Sequence, residues 1–313
     1  MNKNAALSRR KPLPARFIAA VVKYRYMYLM LIPGLIYILV FHYAPMGGLA
    51  ISFQDFKVSR GVFGSKFIGF ENYAYLLKNP QFQRAMRNTF IISLLKIGIG
   101  FPIPILLALL INEIRVRKLQ RLVQTILYLP HFLSWVIMFG LVFNLVKEFG
   151  PLNHLIRLAG GKTIFFLSDT DYFRGVLVVS DVWKEMGWNA IIYLAALAGV
   201  SQDLYEAAVI DGASRIKCLL KISLPSIMPT IVIMFILRIG GILNVGFEQV
   251  LALYNPSVFS VGDIIDTYVF RIGLQEAKFG ISAAAGMFKS IIAAIMVIST
   301  NHIVSRLDQG SLF

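Results

Sequence analysis

The sequence holds one cysteine, Cys218, in 313 residues. A disulfide-stapled secreted scaffold needs paired cysteines, so that class is excluded. Acid is scarce as well. Sixteen Asp and Glu stand against 31 Lys and Arg, and none precedes Asp55. Charged residues of both signs make up only 15%, where a soluble domain carries roughly 25%. The four histidines (His42, His131, His154, His302) fall in separate regions without metal-ligand spacing. They read as interfacial or packing residues, and no metal site is expected. There is no Gly-x-Ser-x-Gly. Gly160-Gly161-Lys162-Thr163 looks like the end of a phosphate loop, but the spacing needs glycine where Ile156 stands. Gly98-Ile99-Gly100 lacks the third glycine of a dinucleotide fingerprint, because position 103 is Ile103. No catalytic residue is expected. Cys218 has no resolving partner and reads as a small packing residue.

Apolar residues are what the chain has in excess. They make up 57%, and the mean hydropathy is +0.70. That rules out a disordered basic chain. A net charge of +15 would suit a soluble nucleic-acid binder, but the apolar surplus has no place in a soluble fold of this size. The composition points to a lipid-embedded protein whose cations sit in the segments leaving the membrane.

A spanning helix needs about 20 mostly apolar residues, because the backbone must satisfy its own hydrogen bonds in hydrocarbon. Six candidates fit, so the expected fold class is an all-α polytopic membrane protein. They are residues 26–45, 88–112 with Pro102 and Pro104, 123–146, 173–200 (the most polar), 228–253 and 283–304. The strict alternation of a transmembrane β-barrel is absent. The first candidate has the basic flank of a signal peptide (Lys3, Arg9, Arg10, Lys11, Arg16, Lys23, Arg25). Its apolar run is too long and no small-x-small cleavage site follows, so it reads as an uncleaved span.

With the N-terminus inside, the cytosolic pieces hold 15 Lys and Arg in roughly 73 residues. The outer pieces hold 12 in roughly 99. The inner density is nearly twofold higher, which places both termini in the cytosol. The positive charge is then an orientation signal and an attraction to anionic lipid, not a nucleic-acid footprint. The chain divides into a basic cytosolic segment (1–25), a first span with its outer loop (26–69), a main transmembrane region (70–305) containing a cytosolic loop (201–226), and a cytosolic tail (306–313).

That loop carries the most information. Gln202–Ile210 predicts a helix with a slim side at Ala207 and Ala208. Asp211-Gly212 breaks it, Gly212 being suited to a left-handed position. Ser214 can cap a second helix from Arg215 to Ile222, apolar at Ile216, Leu219 and Leu220. Pro225 and Pro229 are expected to stop it and lead into the fifth span. A helix–turn–helix that stands out of the membrane is a suitable knob for another protein's groove.

Glu206-Ala207-Ala208, then Gly212, then Ile222, Leu224 and Pro225, match at every position the E-A-A, three residues, G, nine residues, I-x-L-P pattern. Asp211-Gly212-Ala213 also fits its common variant. The segment thus resembles the loop shared by membrane permease subunits of ABC importers, the binding-protein-dependent transport family. The resemblance runs from about Phe70 to the C-terminus. Gly246-Phe247-Glu248-Gln249-Val250 and Leu253-Tyr254-Asn255-Pro256 resemble the LplB-like branch of carbohydrate permeases. Phe279-Gly280 and the Gly310-Ser311-Leu312-Phe313 end support this.

The resemblance implies a six-span permease that forms half of a heterodimeric pore with a second permease subunit. Its other partners are two cytosolic ATPase subunits and an extracytoplasmic solute-binding protein, and its cargo is an oligosaccharide. It implies no cofactor bound directly, since ATP and Mg are used by the ATPase. It implies a bacterial cell-membrane location, alternating access, and a coupling role for Glu206, Ala207, Ala208, Asp211, Gly212, Ala213, Leu224 and Pro225.

Sugars want a flat aromatic face and hydrogen-bonding side chains near the midplane. By register, Trp135 lies mid-way along the third span, and Trp188 and Asn189 mid-way along the fourth. Asn244 and Glu248, four apart, share a face of the fifth. Ionisable residues within spans default to function, which adds Lys96, Arg238 and Lys289. Competing readings are structural. Lys289 can snorkel, Lys184-Glu185 can pair with neighbours, Trp135 can pack on lipid or the partner subunit, and Glu248 can pair with Arg238 or Lys96. Rival functions are an importer of glycerol phosphate, peptide or amino acid, a membrane-bound enzyme, or a secondary transporter. The last would show inverted repeats, and none is visible.

Overall fold

The computed structural model describes residues 22–305. Lys3, Arg9, Arg10, Lys11 and Arg16 of the basic segment, and the whole 306–313 tail with Gly310 to Phe313, lie outside the described residues. Among the described residues the fold is helical apart from one two-residue pairing. Gln54–Asp55 runs antiparallel to Lys66–Phe67, with Gln54 opposite Phe67.

Among the described residues four helices are long and apolar enough to cross a bilayer: Arg25–Phe53, Pro80–Asn112, Trp135–Leu158 and Phe279–His302. A fifth forms if the pair Arg215–Ser226 and Met228–Gly240, bent by 59°, counts as one span. Thr170–Ala198 is 29 residues long, but Arg174, Asp181, Lys184 and Glu185 make it the most polar of the long helices. The first helix runs past Pro45 to Phe53, further than its apolar stretch suggests. Pro45 opens a 3-10 stretch there, where its missing N–H costs nothing.

Two of the expected spans are broken. The third is interrupted after helix Arg117–Tyr128 by a 3-10 turn, Leu129–Phe132. Pro130 withholds a backbone donor, and Ser134 caps a fresh helix, Trp135–Val146, by accepting from the Ile137 N–H at 3.3 Å. Trp135 therefore starts a helix; it is not the midpoint of one. The fifth breaks after Met228–Gly240 and resumes as Phe247–Leu253. Gly246 turns the chain at φ +96°, a conformation that excludes most side chains. This corrects the pairing of Asn244 with Glu248. Asn244 lies in the break and Glu248 in the first turn beyond it, so they share no helical face.

Thr170–Ala198 is the central element. Its N-terminal half joins a core of Phe173, Leu177, Ile92, Val250, Val258 and Ile264. Its C-terminal half joins Ala190, Tyr193 and Leu197 to Ala108, Leu109 and Ile227. A third cluster packs Phe82, Ala85, Tyr268 and Ile272 against Ala284 and Ala285 of the last helix. Small residues set the closest approach. A Cβ at Gly187 would overlap the Leu127 carbonyl oxygen, so Gly187 is what lets helix Arg117–Tyr128 cross here.

The 201–226 segment begins as its residues predict. Ser201 caps Gln202–Ile210 by accepting from the Asp203 N–H at 3.2 Å. Gly212 takes the turn at φ +75°, and Ser214 accepts from the Lys217 N–H at 3.4 Å. The second helix then runs further than expected, to Ser226. Pro225 does not stop it, because the ladder loosens into a π turn over Leu219–Ser223 and Pro225 enters at the start of the next turn. Pro229 sits in the first turn of Met228–Gly240, where proline is tolerated.

Candidate functional site

Breaking a helix inside hydrocarbon frees carbonyls that must find donors. Here two buried lysines supply them. Lys184, on the central helix, donates to the carbonyls of His131 (2.6 Å), Leu133 (2.7 Å) and Pro130 (3.3 Å), spanning the break in the third expected span. Lys96, 4% exposed, donates to Val245 O at 2.7 Å in the break of the fifth, to Asp181 Oδ1 at 2.8 Å and to Gln249 Oε1. Gln249 in turn donates to Leu177 O (2.7 Å) and Ser180 Oγ (2.8 Å). Ser93 donates to Ile242 O in the same break. Lys96 is thus committed to holding the broken helix, whereas the sequence reading placed it in the substrate path. Arg238 approaches the second Asp181 oxygen, Oδ2, at 3.7 Å.

Glu248 pairs with neither Lys96 nor Arg238. It is exposed, and among the described residues no ion pair holds it. Asp181 and Gln249 take the places proposed for it. Asp181 is the residue that the sequence reading missed, although an acid within the most polar span was signal enough. Lys289 does not snorkel; both Asp266 oxygens accept from it, at 2.6 and 2.8 Å. Asp266 sits in a segment read as an outer loop, where an acid is unremarkable, so nothing in the sequence singled it out.

Lys184 and Glu185 do pair, at 3.8 Å, and Glu185 also meets His131 Nδ1 at 2.8 Å. The His131 ring stacks on Trp188, with centroids 4.3 Å apart and planes 2° from parallel. Phe132 meets Trp188 edge-on at 5.7 Å. Trp188, 43% exposed, therefore offers one face outward and has the other covered. Trp135 lies under the Lys184 ammonium, 5.7 Å away, and is half-buried. Trp135 and Trp188 thus gather at the same break.

Three openings follow the polar residues. The largest, about 630 Å³, is lined by Asn244, Phe247, Phe270, Phe279 and the Asp266–Lys289 pair. A narrow cleft beside it is lined by Ser93, Lys96, Arg238 and Asn244. A third, about 220 Å³, is lined by Phe101, Asn189, Tyr193, Met234 and Arg238. Asn244 is common to the first two and Arg238 to the last two. Asn189 and Asn244 line different openings that share Arg238.

Beyond the spans, Arg271 forks onto Asp263 at 2.7 and 3.1 Å, and these hydrogen bonds push its guanidinium pKa further up. Asn88 donates to Asp263 O and accepts from Arg174 at 2.9 Å. In the 201–226 segment, Glu206, Ala207, Asp211, Gly212 and Pro225 are exposed, with Ala208, Ala213 and Leu224 half-buried. Leu204, Val209, Ile210 and Ile216 are also exposed, from 52% to 85%. Tyr205 and Ser223 hydroxyls, 2.9 Å apart, tie the two helices together, and Cys218 packs beneath them as a buried free thiol.

A family described as "Binding-protein-dependent transport system inner membrane component" matches residues 100–309. LplB of Bacillus subtilis (strain 168) is 43% identical over 298 residues, covering 95% of this chain and 94% of that protein. The polygalacturonan/rhamnogalacturonan transport system permease protein YteP of the same organism is 40% identical over 299 residues, covering 95% and 93%. A chain of the crystal structure of a bacterial alginate ABC transporter, in complex with an alginate pentasaccharide-bound periplasmic protein, superposes with a TM-score of 0.87. It is 38% identical, over 95% of this chain and 100% of that one. The apolar helices, the exposed helix–turn–helix and these likenesses agree: this chain belongs to the family of inner membrane components of binding-protein-dependent transport systems, the permeases of ABC transporters.

Proposed function

We propose that the protein is the permease subunit of an ATP-driven importer, passing oligosaccharides from an extracytoplasmic binding protein across the bacterial cell membrane. The observation that carries this reading is the exposed 201–226 segment, in which the family pattern and an apolar cap occur together. Leu204, Val209, Ile210 and Ile216 in water would be a liability, and a groove on a cytosolic ATPase would bury them. Glu206, Ala207, Ala208, Asp211, Gly212 and Ala213 form the docking turn in this reading. Leu224 and Pro225 pass its movement to the bent helix pair.

The chain then crosses the membrane six times, with Thr170–Ala198 as one crossing and both termini in the cytosol. A second permease subunit completes the pore, and two ATPase subunits bind ATP and Mg. No cofactor binds this chain directly. ATP closes the ATPase dimer, the spans turn outward, and the binding protein releases sugar. Hydrolysis restores the inward state. Trp135, Trp188, Asn189, Asn244 and Glu248 are the candidate sugar contacts, with Lys96 fixing the backbone behind them. Relatives of this chain include permeases named for polygalacturonan/rhamnogalacturonan and arabinooligosaccharides, which supports an oligosaccharide as cargo.

The test is to tag the chain, extract it in mild detergent and reconstitute what copurifies into proteoliposomes. A second permease and an ATPase should come with it, and a matching binding protein should stimulate ATP hydrolysis. Purification of the chain alone, with uptake in a deletion strain unaffected, would sink the reading.

A further inference from the structure

The permease reading leaves the chemistry of the oligosaccharide open, and one cation bears on it. Asp181 is approached by two cations. Lys96 is saturated, with three acceptors around its ammonium and 4% exposure. Arg238 is different. Its distance to Asp181 Oδ2 is 3.7 Å, an ion-pair distance and not a hydrogen bond, and it is 43% exposed. Among the described residues its guanidinium makes no hydrogen bond. Five N–H donors inside a membrane protein need acceptors.

Apart from Asp181, which Lys96 shares, the surroundings supply no free group of opposite charge. No carboxylate lines the cleft or the 220 Å³ cavity that Arg238 joins. Glu185 is engaged by His131 and Lys184, and Asp266 by Lys289. What the cavities do present is a set of neutral groups: the Asn189 and Asn244 amides and the Tyr193 hydroxyl. None of these side chains has a hydrogen-bond partner among the described residues. A surplus cation flanked by unengaged amides and a phenol matches a ligand with one carboxylate among hydroxyls. A planar guanidinium takes a carboxylate by two parallel hydrogen bonds, which a lysine cannot copy.

Resting on the permease reading, we propose that Arg238 is a specificity-determining residue that binds a uronate carboxylate, so that the cargo is an acidic oligosaccharide. Asn189, Asn244 and Tyr193 take hydroxyls of the same or the adjoining ring. The position of Arg238, between the cleft and the inner cavity, makes it a relay point that each acidic unit passes.

The experiment uses the whole importer in its own cell. Strains carrying the unaltered gene, a deletion, R238Q or R238K receive a mixture of oligogalacturonides, neutral galacto- and arabino-oligosaccharides, and glycerol 3-phosphate. Depletion of each is followed by mass spectrometry, and membrane abundance of each variant by immunoblot. The unaltered strain should deplete the oligogalacturonides. R238Q should slow them by on the order of tenfold or more, the worth of one charge-assisted pair, with R238K between the two. Equal slowing of acidic and neutral sugars by an R238K variant present at normal abundance overturns the assignment. So does depletion of neutral sugars only, or an R238Q defect confined to glycerol 3-phosphate. Those outcomes leave the permease reading standing. A deletion that changes depletion of no oligosaccharide overturns both.

Discussion

Lys96 Nζ and Asp181 Oδ1 lie 2.8 Å apart, joining helices 85 residues distant in sequence, and the same ammonium holds Val245 O in a broken third element. One side chain therefore neutralises an intramembrane acid and satisfies a freed carbonyl. Removing it strands both.

K96M should destabilise the chain by roughly 3–5 kcal/mol, the usual cost of leaving a buried charge without its partner. Asp181 would retain only Arg238 at 3.7 Å. The readout is membrane abundance and the temperature of aggregation in detergent. D181N added to K96M should recover part of the loss, because the stranded charge is gone. A K96M chain as abundant and heat-resistant as the original would show that the pair carries no stability.

K184M should open the break at Leu129–Leu133, where three carbonyls lose their shared donor. A loss of about 2–4 kcal/mol is expected, from one to three hydrogen bonds to a charged group. Limited proteolysis should find new cleavage near Pro130. Protection equal to that of the original chain would contradict this account. K184R, longer but still cationic, should fall between.

E206A and G212V should uncouple ATP hydrolysis from uptake while the subunits still copurify. Gly212 holds φ +75°, which costs a branched residue about 1–2 kcal/mol, so G212V also distorts the turn. E206A changes charge without touching the backbone. Normal coupled uptake in both variants would remove the coupling role.

W188A should slow uptake at least several-fold, because one ring face is open to a sugar while His131 covers the other. H131A is the companion. If the stack orients Trp188, H131A should raise the apparent KM for the sugar with little change at saturation. E248A should have a smaller effect than W188A, since among the described residues no partner fixes its exposed side chain. Unaltered kinetics in W188A would take it out of the path.

Much of the helix–turn–helix was legible because its signals are local. Ser201, Gly212 and Ser214 act within one turn of their own positions, and a cap needs no distant partner. Its end was misread because the π turn over Leu219–Ser223, which admits Pro225, depends on packing beneath it. The arrangement of the candidate path residues was not legible in the sequence. Trp135 and Trp188 meet at the break after Tyr128, Asn244 lies in the break before Phe247 with Glu248 in the first turn beyond it, and Asp181 was passed over.

By itself the sequence determined what hydropathy and short-range chemistry decide. Those are a membrane protein of helices, the family loop at 201–226, and the presence of cations where they are costly. Only the tertiary structure decided which cations are spent and which are available. Two apolar runs of similar appearance turned out to be broken at Leu129–Leu133 and Gly241–Gly246, and each break took a lysine from another helix to fill it. Apolar content measures transfer into lipid, not continuity of the backbone ladder. Pairing over 85 residues is a matter of which helices touch, and no window on the sequence sees that. Among the described residues Arg238 is left with an ion pair to Asp181 and no hydrogen bond, whereas Lys96 bonds the same carboxylate at 2.8 Å.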